Sequence, residues 1–358
     1  MTIFPFILCC AALLTALINA LTMRVVRAAG ARNIASSVEL LIPMRNEERN
    51  VIDCISAAKG SAHISDFSIT VLNDNSSDKT EELLEQFADS ITIITGQQLA
   101  SGWMGKNFAL SQLARRSEAE YLVFSDADVR LTPPAISASI ALMEDRNWDF
   151  ISPYPKQIAR SFAELLIQPL LQWSWMSSVL LRLAERTQRP STTIANGQLF
   201  IVKSAAYKAI DGHESVKNEV LDDLELARAL VRGGFRGGVA DASQVVSCRM
   251  YENIRELVNG YTKSLWRAFG SVGGTVLAIL ILTWTGLTPF YGAITGSALA
   301  FAGLVATISS RVVTALRTRS NVLLSLLHPL AIAFLFLLIA LSWMKKRNGT
   351  LQWRGRTI

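Results

Sequence analysis

The feature that most constrains this chain is where its charges are missing. From Ile3 to Leu21 no side chain is charged, and the first base, Arg24, follows the run. About 20 apolar residues are what a helix needs to cross a bilayer, where every backbone amide must be satisfied within the segment. Three more runs lie near the C-terminus: Val272 to Leu287, Tyr291 to Ile308 after a turn expected at Pro289, and Val322 to Trp343. A secretory signal would carry bases before its apolar stretch and a small-residue cleavage site after it. Here Arg24, Arg27 and Arg32 follow the first run and no base precedes it. The run therefore reads as an uncleaved anchor with the following chain in the cytoplasm, a cleaved signal being the alternative.

Composition points the same way. Of 358 residues, 50% are hydrophobic and 18% charged, and mean hydropathy is +0.30. A soluble domain is about a quarter charged, and a disordered chain is poorer in apolar residues. The length suits about two domains. Lys+Arg 35 against Asp+Glu 29 gives +6, but the bases flank apolar runs, which is a membrane-orientation pattern and not a nucleic-acid face.

The C-terminal flanks conflict. Arg311, Arg317 and Arg319 separate the last two runs, and Lys345, Lys346, Arg347, Arg354 and Arg356 follow the last. Three spans leaving a cytoplasmic domain would put this tail outside, whereas its charge favours the cytoplasm. A re-entrant or interfacial segment reconciles the two, and a cytoplasmic tail is the expectation. His328-Pro329 within the last run reads as a kink or as an intramembrane polar site. Leu165 to Leu181, with Gln168, Pro169, Gln172, Trp173 and Trp175, suits either a helix on the membrane surface or a buried domain helix. Cys9, Cys10, Cys54 and Cys248 form no CxxC pair and no zinc-spaced cluster, so they read as buried free thiols in a reducing compartment.

Between the apolar ends, residues 38 to about 245 alternate between strand and helix patterns. Strands are expected at Val38–Ile42, Ser68–Leu72, Ser90–Thr95 and Tyr121–Phe124, and helices at Asn46–Ala58, Ser77–Phe87, Asn107–Arg116 and Asp223–Val231. Such alternation predicts an α/β fold with a mostly parallel sheet, whose ligand site lies beyond the carboxyl ends of the strands. Polar clusters fall there in phase: Pro43 to Glu48, Asn73 to Asp78 and Ser125 to Asp128. No Walker A pattern occurs and no GxGxxG follows the first strand, while Gly233-Gly234 and Gly237-Gly238 read as a turn.

Asp126-Ala127-Asp128 ends an apolar strand, and on extended backbone alternate side chains share a face. Two such carboxylates suit a hard divalent cation, Mg²⁺ or Mn²⁺, shared with a diphosphate. Asp74 suits a base or ribose hydrogen bond, whereas Ser76, Ser77 and Asp78 equally suit a helix cap. Lys106, in Gly102-Trp-Met-Gly-Lys-Asn107, suits a phosphate as a point charge. Asp222 and Asp223 suit a cap or, for Asp223, a general base.

In order, these motifs resemble glycosyltransferase family 2 with the GT-A fold. The resemblance runs from Val38 to about Trp266. Val38-Glu-Leu-Leu-Ile-Pro-Met-Arg-Asn-Glu-Glu48 is similar to the opening strand and nucleotide-binding turn. Val71-Leu-Asn-Asp-Asn-Ser-Ser-Asp-Lys-Thr80 resembles the second signature, with Asn73 where the family has Asp. Ser125-Asp-Ala-Asp128 is similar to the metal motif. Asp222-Asp-Leu-Glu-Leu226 resembles the Glu-Asp motif, with Asp222 in place of Glu. Gly102 to Asn107, the anchor, the C-terminal runs with His328-Pro329 and the tail Trp353-Arg-Gly-Arg356 resemble membrane transferases of carotenoid- or hopanoid-type lipids. Processive synthases carry Gln-x-x-Arg-Trp, which is absent from Tyr261-Thr-Lys-Ser-Leu-Trp266.

The resemblance implies an anchor at 1–23, a GT-A domain (Rossmann-like, mostly parallel sheet) at 36–267, transmembrane helices at 270–344 and a basic tail at 345–358. It implies an inverting, metal-dependent transfer of a sugar, a hexose, from a UDP-sugar such as UDP-glucose to a lipid hydroxyl at the inner membrane. Pro43, Glu47, Asp74, Lys106 and Asp126 would bind the nucleotide sugar, Asp126 and Asp128 the metal, and Asp223 would be the base. Asn196, Gln198, Lys263 and Trp266 would shape the acceptor pocket. The partners expected are the donor, a lipid acceptor and the membrane, with no nucleic acid. Transfer to polyprenyl phosphate, polysaccharide synthesis and a non-catalytic membrane scaffold are the alternatives.

Overall fold

The computed structural model describes residues 3–353 and 356–357. Packing divides them into two compact units. One holds Arg24–Lys156 and Leu183–Arg249; the other holds the N-terminal helix, Gln157–Arg182 and the chain from Met250 onward.

The first unit is built on strands β1 (Ile34–Met44), β2 (Ile64–Asn73), β3 (Thr92–Thr95), β4 (Tyr121–Ser125), β5 (Val129–Leu131), β6 (Phe150–Tyr154), β7 (Leu199–Lys203), β8 (Gly237–Asp241) and β9 (Val246–Cys248). Seven form one sheet in the order β3-β2-β1-β4-β7-β6-β8. All its pairs are parallel except those of β7, which runs against both β4 and β6. Leu40, Leu41, Ile42, Val71, Leu72, Leu122 and Val123 are buried as continuous runs. That is the signature of strands covered on both faces, which parallel sheets require. β5 pairs antiparallel with β9 beside the end of β4.

Two helices begin later than their patterns suggest. The first starts at Val51 and not Asn46, the second at Thr80 and not Ser77. In both cases polar residues are committed to the preceding loop: Asn46 and Asn75 adopt left-handed backbone, with φ of 54° and 52°. Asp126 to Asp128 forms a turn between β4 and β5, not a continuation of the strand. Alternation on extended backbone therefore does not orient this pair.

In the second unit, four helices are long and apolar enough to cross a membrane: Ile3–Thr22, Val272–Ile294, Ala298–Thr318 and Leu323–Arg347. Two expectations are corrected. The chain does not turn at Pro289; it runs through a π-helical turn, Thr283–Leu287, into Thr288–Ile294. Proline is tolerated in that first turn, where its missing N–H is not needed. The reversal comes at Thr295–Ser297, where Gly296 takes φ 84°. Likewise His328 and Pro329 open the helix His328–Arg347, after the 3₁₀ segment Leu323–Leu327, and do not kink it.

The stretch read as a surface or buried helix is Phe162–Ser178, capped by Ser161. Trp173 and Trp175 are buried, and the helix packs with the apolar helices. Asn19 of the first helix ties down its end, donating to Met176 O at 2.8 Å and Val179 O at 2.7 Å while accepting from Leu181 N at 3.0 Å. Helix Ile254–Ala268 also belongs to this unit. The linear stretch 36–267 is thus interrupted in space: two of its helices pack with the apolar ones. Ser342 Oγ donates to Thr262 O at 2.6 Å, Lys345 Nζ donates to Asn259 Oδ1 at 3.2 Å, and Lys346 lies 4.2 Å from the Trp266 ring. The basic end of the last helix therefore lies beside the helix that leads into Val272. Of the Trp353–Arg356 motif, Arg354 and Gly355 lie outside the described residues.

Candidate active site

The carboxyl edge of the sheet gathers the polar clusters. After β1 and β2, two loops are laced together. Asn46 Oδ1 accepts from Ser77 N at 2.8 Å, Glu47 N donates to Thr80 Oγ1 at 2.8 Å, and Glu48 N donates to Asp78 Oδ2 at 3.1 Å. Asp78 Oδ1 also accepts from Thr80 N at 3.0 Å and Thr80 Oγ1 at 2.6 Å. Burial alone would raise the Asp78 carboxyl, but these donors hold it below its ordinary value. Asp78 is thus a structural latch. Asp74 is buried, its N–H donating to Met44 O at 2.8 Å and its carbonyl accepting from Arg45 at 2.6 Å. Pro43 stands opposite Leu72 in the register, one residue before Met44.

Lys106 opens the helix Gly105–Arg116. Its Nζ lies 2.6 Å from Asp126 Oδ1, 4.0 Å from Asp222 Oδ2 and 3.4 Å from Gly197 O. Burial would lower its affinity for a proton, but Asp126 and Asp222 overcome this and keep the ammonium charged. The neighbouring Asn107 donates to Val216 O at 2.8 Å and Glu219 O at 3.0 Å, fixing the loop that delivers Asp222 and Asp223. These aspartates are the first residues of the helix Asp222–Arg232, not its cap, which is Leu221.

The turn at Asn196–Gln198 holds the cluster together. Asn196 Oδ1 accepts from Gln198 N at 2.8 Å, and Gln198 O accepts from Asp126 N at 3.0 Å. The Gly197 N–H binds the Asp223 carboxylate. A Cβ on Gly197 would come 3.0 Å from Asp223 Cβ, so glycine permits the close approach. Burial and then Asp222 push the Asp223 carboxyl up to about 6.

Asp128 is under the greatest electrostatic stress. Burial, then Asp126 and Glu47, push it up to about 7. The Cys248 thiol hydrogen-bonds this carboxylate, yet its Oδ1 is buried without a donor. Glu47 therefore stands near the Asp126–Asp128 pair as well as in the loop that follows β1. Among the described residues no three His, Cys, Asp or Glu side chains form a metal cage.

Lys106, Asp126, Asp222, Asp223 and the 196–198 turn are thus brought into one network. Lys263 and Trp266 belong to the other unit, on helix Ile254–Ala268, where Trp266 Nε1 donates to Lys263 O at 3.0 Å. Cys248 beneath Asp128, and Arg130, which grips Ala127 O at 2.9 Å and Asn50 Oδ1 at 3.0 Å, were not legible in the sequence. Nothing in the local sequence of Cys248 points to the carboxylate pair; only β5–β9 pairing brings it there.

A mostly parallel α/β sheet with acidic and basic groups converging on its carboxyl edge defines a nucleotide-binding class of fold. Residues 39–210 match the model for glycosyl transferase family 2. A curated relative, the 4,4'-diaponeurosporenoate glycosyltransferase of Staphylococcus haemolyticus (strain JCSC1435), is 24% identical over 268 residues, covering 72% of this chain and 68% of that protein. Among solved structures, the mannosyltransferase PcManGT from Pyrobaculum calidifontis, in complex with GDP-Man and Mn²⁺, aligns with TM-score 0.56 at 16% identity, over 96% of this chain and 97% of that one. The fold is GT-A.

Proposed function

We propose that this chain is an inverting glycosyltransferase that moves a hexose from a nucleotide sugar, such as UDP-glucose, to a hydroxyl of a carotenoid- or hopanoid-type membrane lipid. The observation that carries this reading is one carboxylate, Asp223, held near neutrality beside the Lys106–Asp126 pair. A single base suffices for inversion, and the neighbouring Asp126 and Asp222 face the Lys106 ammonium.

Pro43, Glu47 and Asp74 hold the nucleotide and Lys106 the diphosphate. Asp223 accepts the acceptor proton as the hydroxyl oxygen bonds to the anomeric carbon. The sugar–diphosphate bond breaks on the opposite face, and the nucleoside diphosphate departs. The orphaned Asp128 Oδ1, with Asp126 beside it, fits a divalent cation, Mg²⁺ or Mn²⁺. Magnesium-like ions take one or two carboxylates and complete their shell with phosphate and water, so a full protein cage is not needed. When bound, such a cation supplies positive charge against the departing diphosphate. Asn196 and Gln198 shape the acceptor side by fixing Gly197.

The four apolar helices support an inner-membrane enzyme with a cytoplasmic catalytic unit. The bases Lys345, Lys346 and Arg347 after the last apolar run support a cytoplasmic tail. The relative's carotenoid-type acceptor supports a lipid substrate.

The test uses the full chain in lipid nanodiscs with labelled nucleotide sugars, Mn²⁺ or Mg²⁺, and total membrane lipids. Label in a small lipid, lost in Asp128→Ala and Asp223→Asn, is expected. Label retained by Asp223→Asn would replace the hydroxyl acceptor with a phosphate. Silence with every nucleotide sugar would leave a scaffold.

A further inference from the structure

Asn50 stands immediately before the helix Val51–Lys59, where asparagine commonly caps the first turn, yet its side chain makes no cap hydrogen bond. Its Nδ2 donates instead to Glu47 Oε2 at 2.8 Å, and its Oδ1 accepts from Arg130 Nη2 at 3.0 Å. A guanidinium only donates and a carboxylate oxygen accepts, so one orientation of the amide serves both.

Arg130 spends its other terminal nitrogen on the acidic turn. Nη1 donates to Ala127 O at 2.9 Å and to Val129 O at 3.0 Å, the carbonyls on either side of Asp128. The Asp128 carbonyl itself accepts from Arg249 N at 3.3 Å. Three consecutive carbonyls around Asp128 are thus held, two of them by one side chain. Asp53 lies 3.9 Å from Arg130 with its side chain 75% exposed, so that ion pair adds little. A planar fork can serve two carbonyls and an amide together, which the point charge of a lysine does not reproduce. Because Asp128 Oδ1 is buried without a donor, its aim depends on the backbone that Arg130 holds.

We propose that Arg130 and Asn50 are positioning residues: they fix the Asp126–Asp128 turn against the loop that carries Glu47, and thereby set how tightly Asp128 holds a divalent cation. This rests on the cation reading above. Neither residue touches the cation; Asn50 acts through Arg130, and Arg130 through the backbone on both sides of Asp128.

The test titrates Mn²⁺ into the full chain in nanodiscs with UDP present, reading free Mn²⁺ by electron paramagnetic resonance against discs with UDP alone. Charge and positioning predict opposite signs. By charge alone, Arg130→Met removes a cation beside two carboxylates and should tighten Mn²⁺ binding. By positioning, Arg130→Met and the charge-conserving Arg130→Lys should each raise the Mn²⁺ Kd at least fivefold, and the uncharged change Asn50→Leu about threefold. The double variant Arg130→Lys/Asn50→Leu should bind no more weakly than Arg130→Lys, because one relay cannot be broken twice. A merely structural role would lower the number of Mn²⁺ sites per chain and leave the Kd unchanged. Unchanged or tighter binding in Arg130→Met, an unchanged Kd in Asn50→Leu, or additive losses in the double variant overturns the inference. Should Arg130→Met not accumulate, Arg130→Lys and Asn50→Leu decide by the same measure. Wild-type Mn²⁺ binding that is absent, or that survives Asp128→Ala, overturns the cation reading and this inference with it. Binding lost in Asp128→Ala but indifferent to Arg130 and Asn50 overturns this inference alone.

Discussion

The two sides of the sheet edge are made of the same residue types and behave oppositely. On the side of β1 and β2, Asn46, Asp78 and Thr80 satisfy one another, and Asp78 is held below its ordinary value. On the side of β4 and the helix Asp222–Arg232, Asp128 and Asp223 are pushed up to about 7 and about 6. A latch minimises its own electrostatic energy, whereas carboxylates raised by burial and by one another are what the proposed cation and proton sites would use. Acidic loops are therefore told apart by what their oxygens lack.

The sharpest break of this comparison is Asp223→Asn. Removing a general base costs on the order of 10²–10⁴-fold in rate, read as labelled sugar transferred. In the wild type, kcat/KM should rise tenfold per pH unit below about 6 and level off above it, because the base acts deprotonated. The variant should lose that limb.

Next is Asp128→Asn. A folded carboxyl raised from 3.8 to about 7 contributes stability at low pH that is lost as pH rises through 7. The variant should therefore melt higher than the wild type at pH 8, by roughly 1 kcal/mol or more, with the gain shrinking towards pH 5. Transfer should be abolished, and Mn²⁺ should raise the melting temperature of the wild type alone. A melting gain independent of pH would refute the strain.

Gly197→Ala presses a methyl on Asp223. A shift of the base by a fraction of an ångström should cost about tenfold in kcat, with little change in donor KM. The smallest effect on chemistry belongs to Asp78→Ala. Losing three donated hydrogen bonds should cost ~2 kcal/mol in thermal or denaturant unfolding, with the rate per folded molecule nearly unchanged. A large rate loss at constant stability would move Asp78 from the latch to the site.

Much of this was legible in the chain because it rests on local pattern. Four apolar helices, the parallel α/β core and the polar clusters at strand ends all follow from hydropathy and alternation, which backbone satisfaction and side-chain burial enforce within each segment. Pro43, Asp74, Lys106, Asp126, Asp128 and Asp223 stood out as candidates because each lies at or beside a strand or helix end. What stayed hidden depends on pairs far apart in sequence. Asp78 proved a latch because Glu48 and Thr80 reach it. Pro289 sits inside a helix because a π turn precedes it.

The sequence by itself determined which segments prefer lipid and which strands carry acids, because both are set by the residues of the segment. Only the tertiary structure decided that Cys248 lies under Asp128, that Gly197 backs Asp223, and that helices Phe162–Ser178 and Ile254–Ala268 pack with the apolar helices. The electrostatic state of a carboxylate depends on the inverse distance to every other charge and on its loss of water, and neither quantity exists until the chain has closed around it.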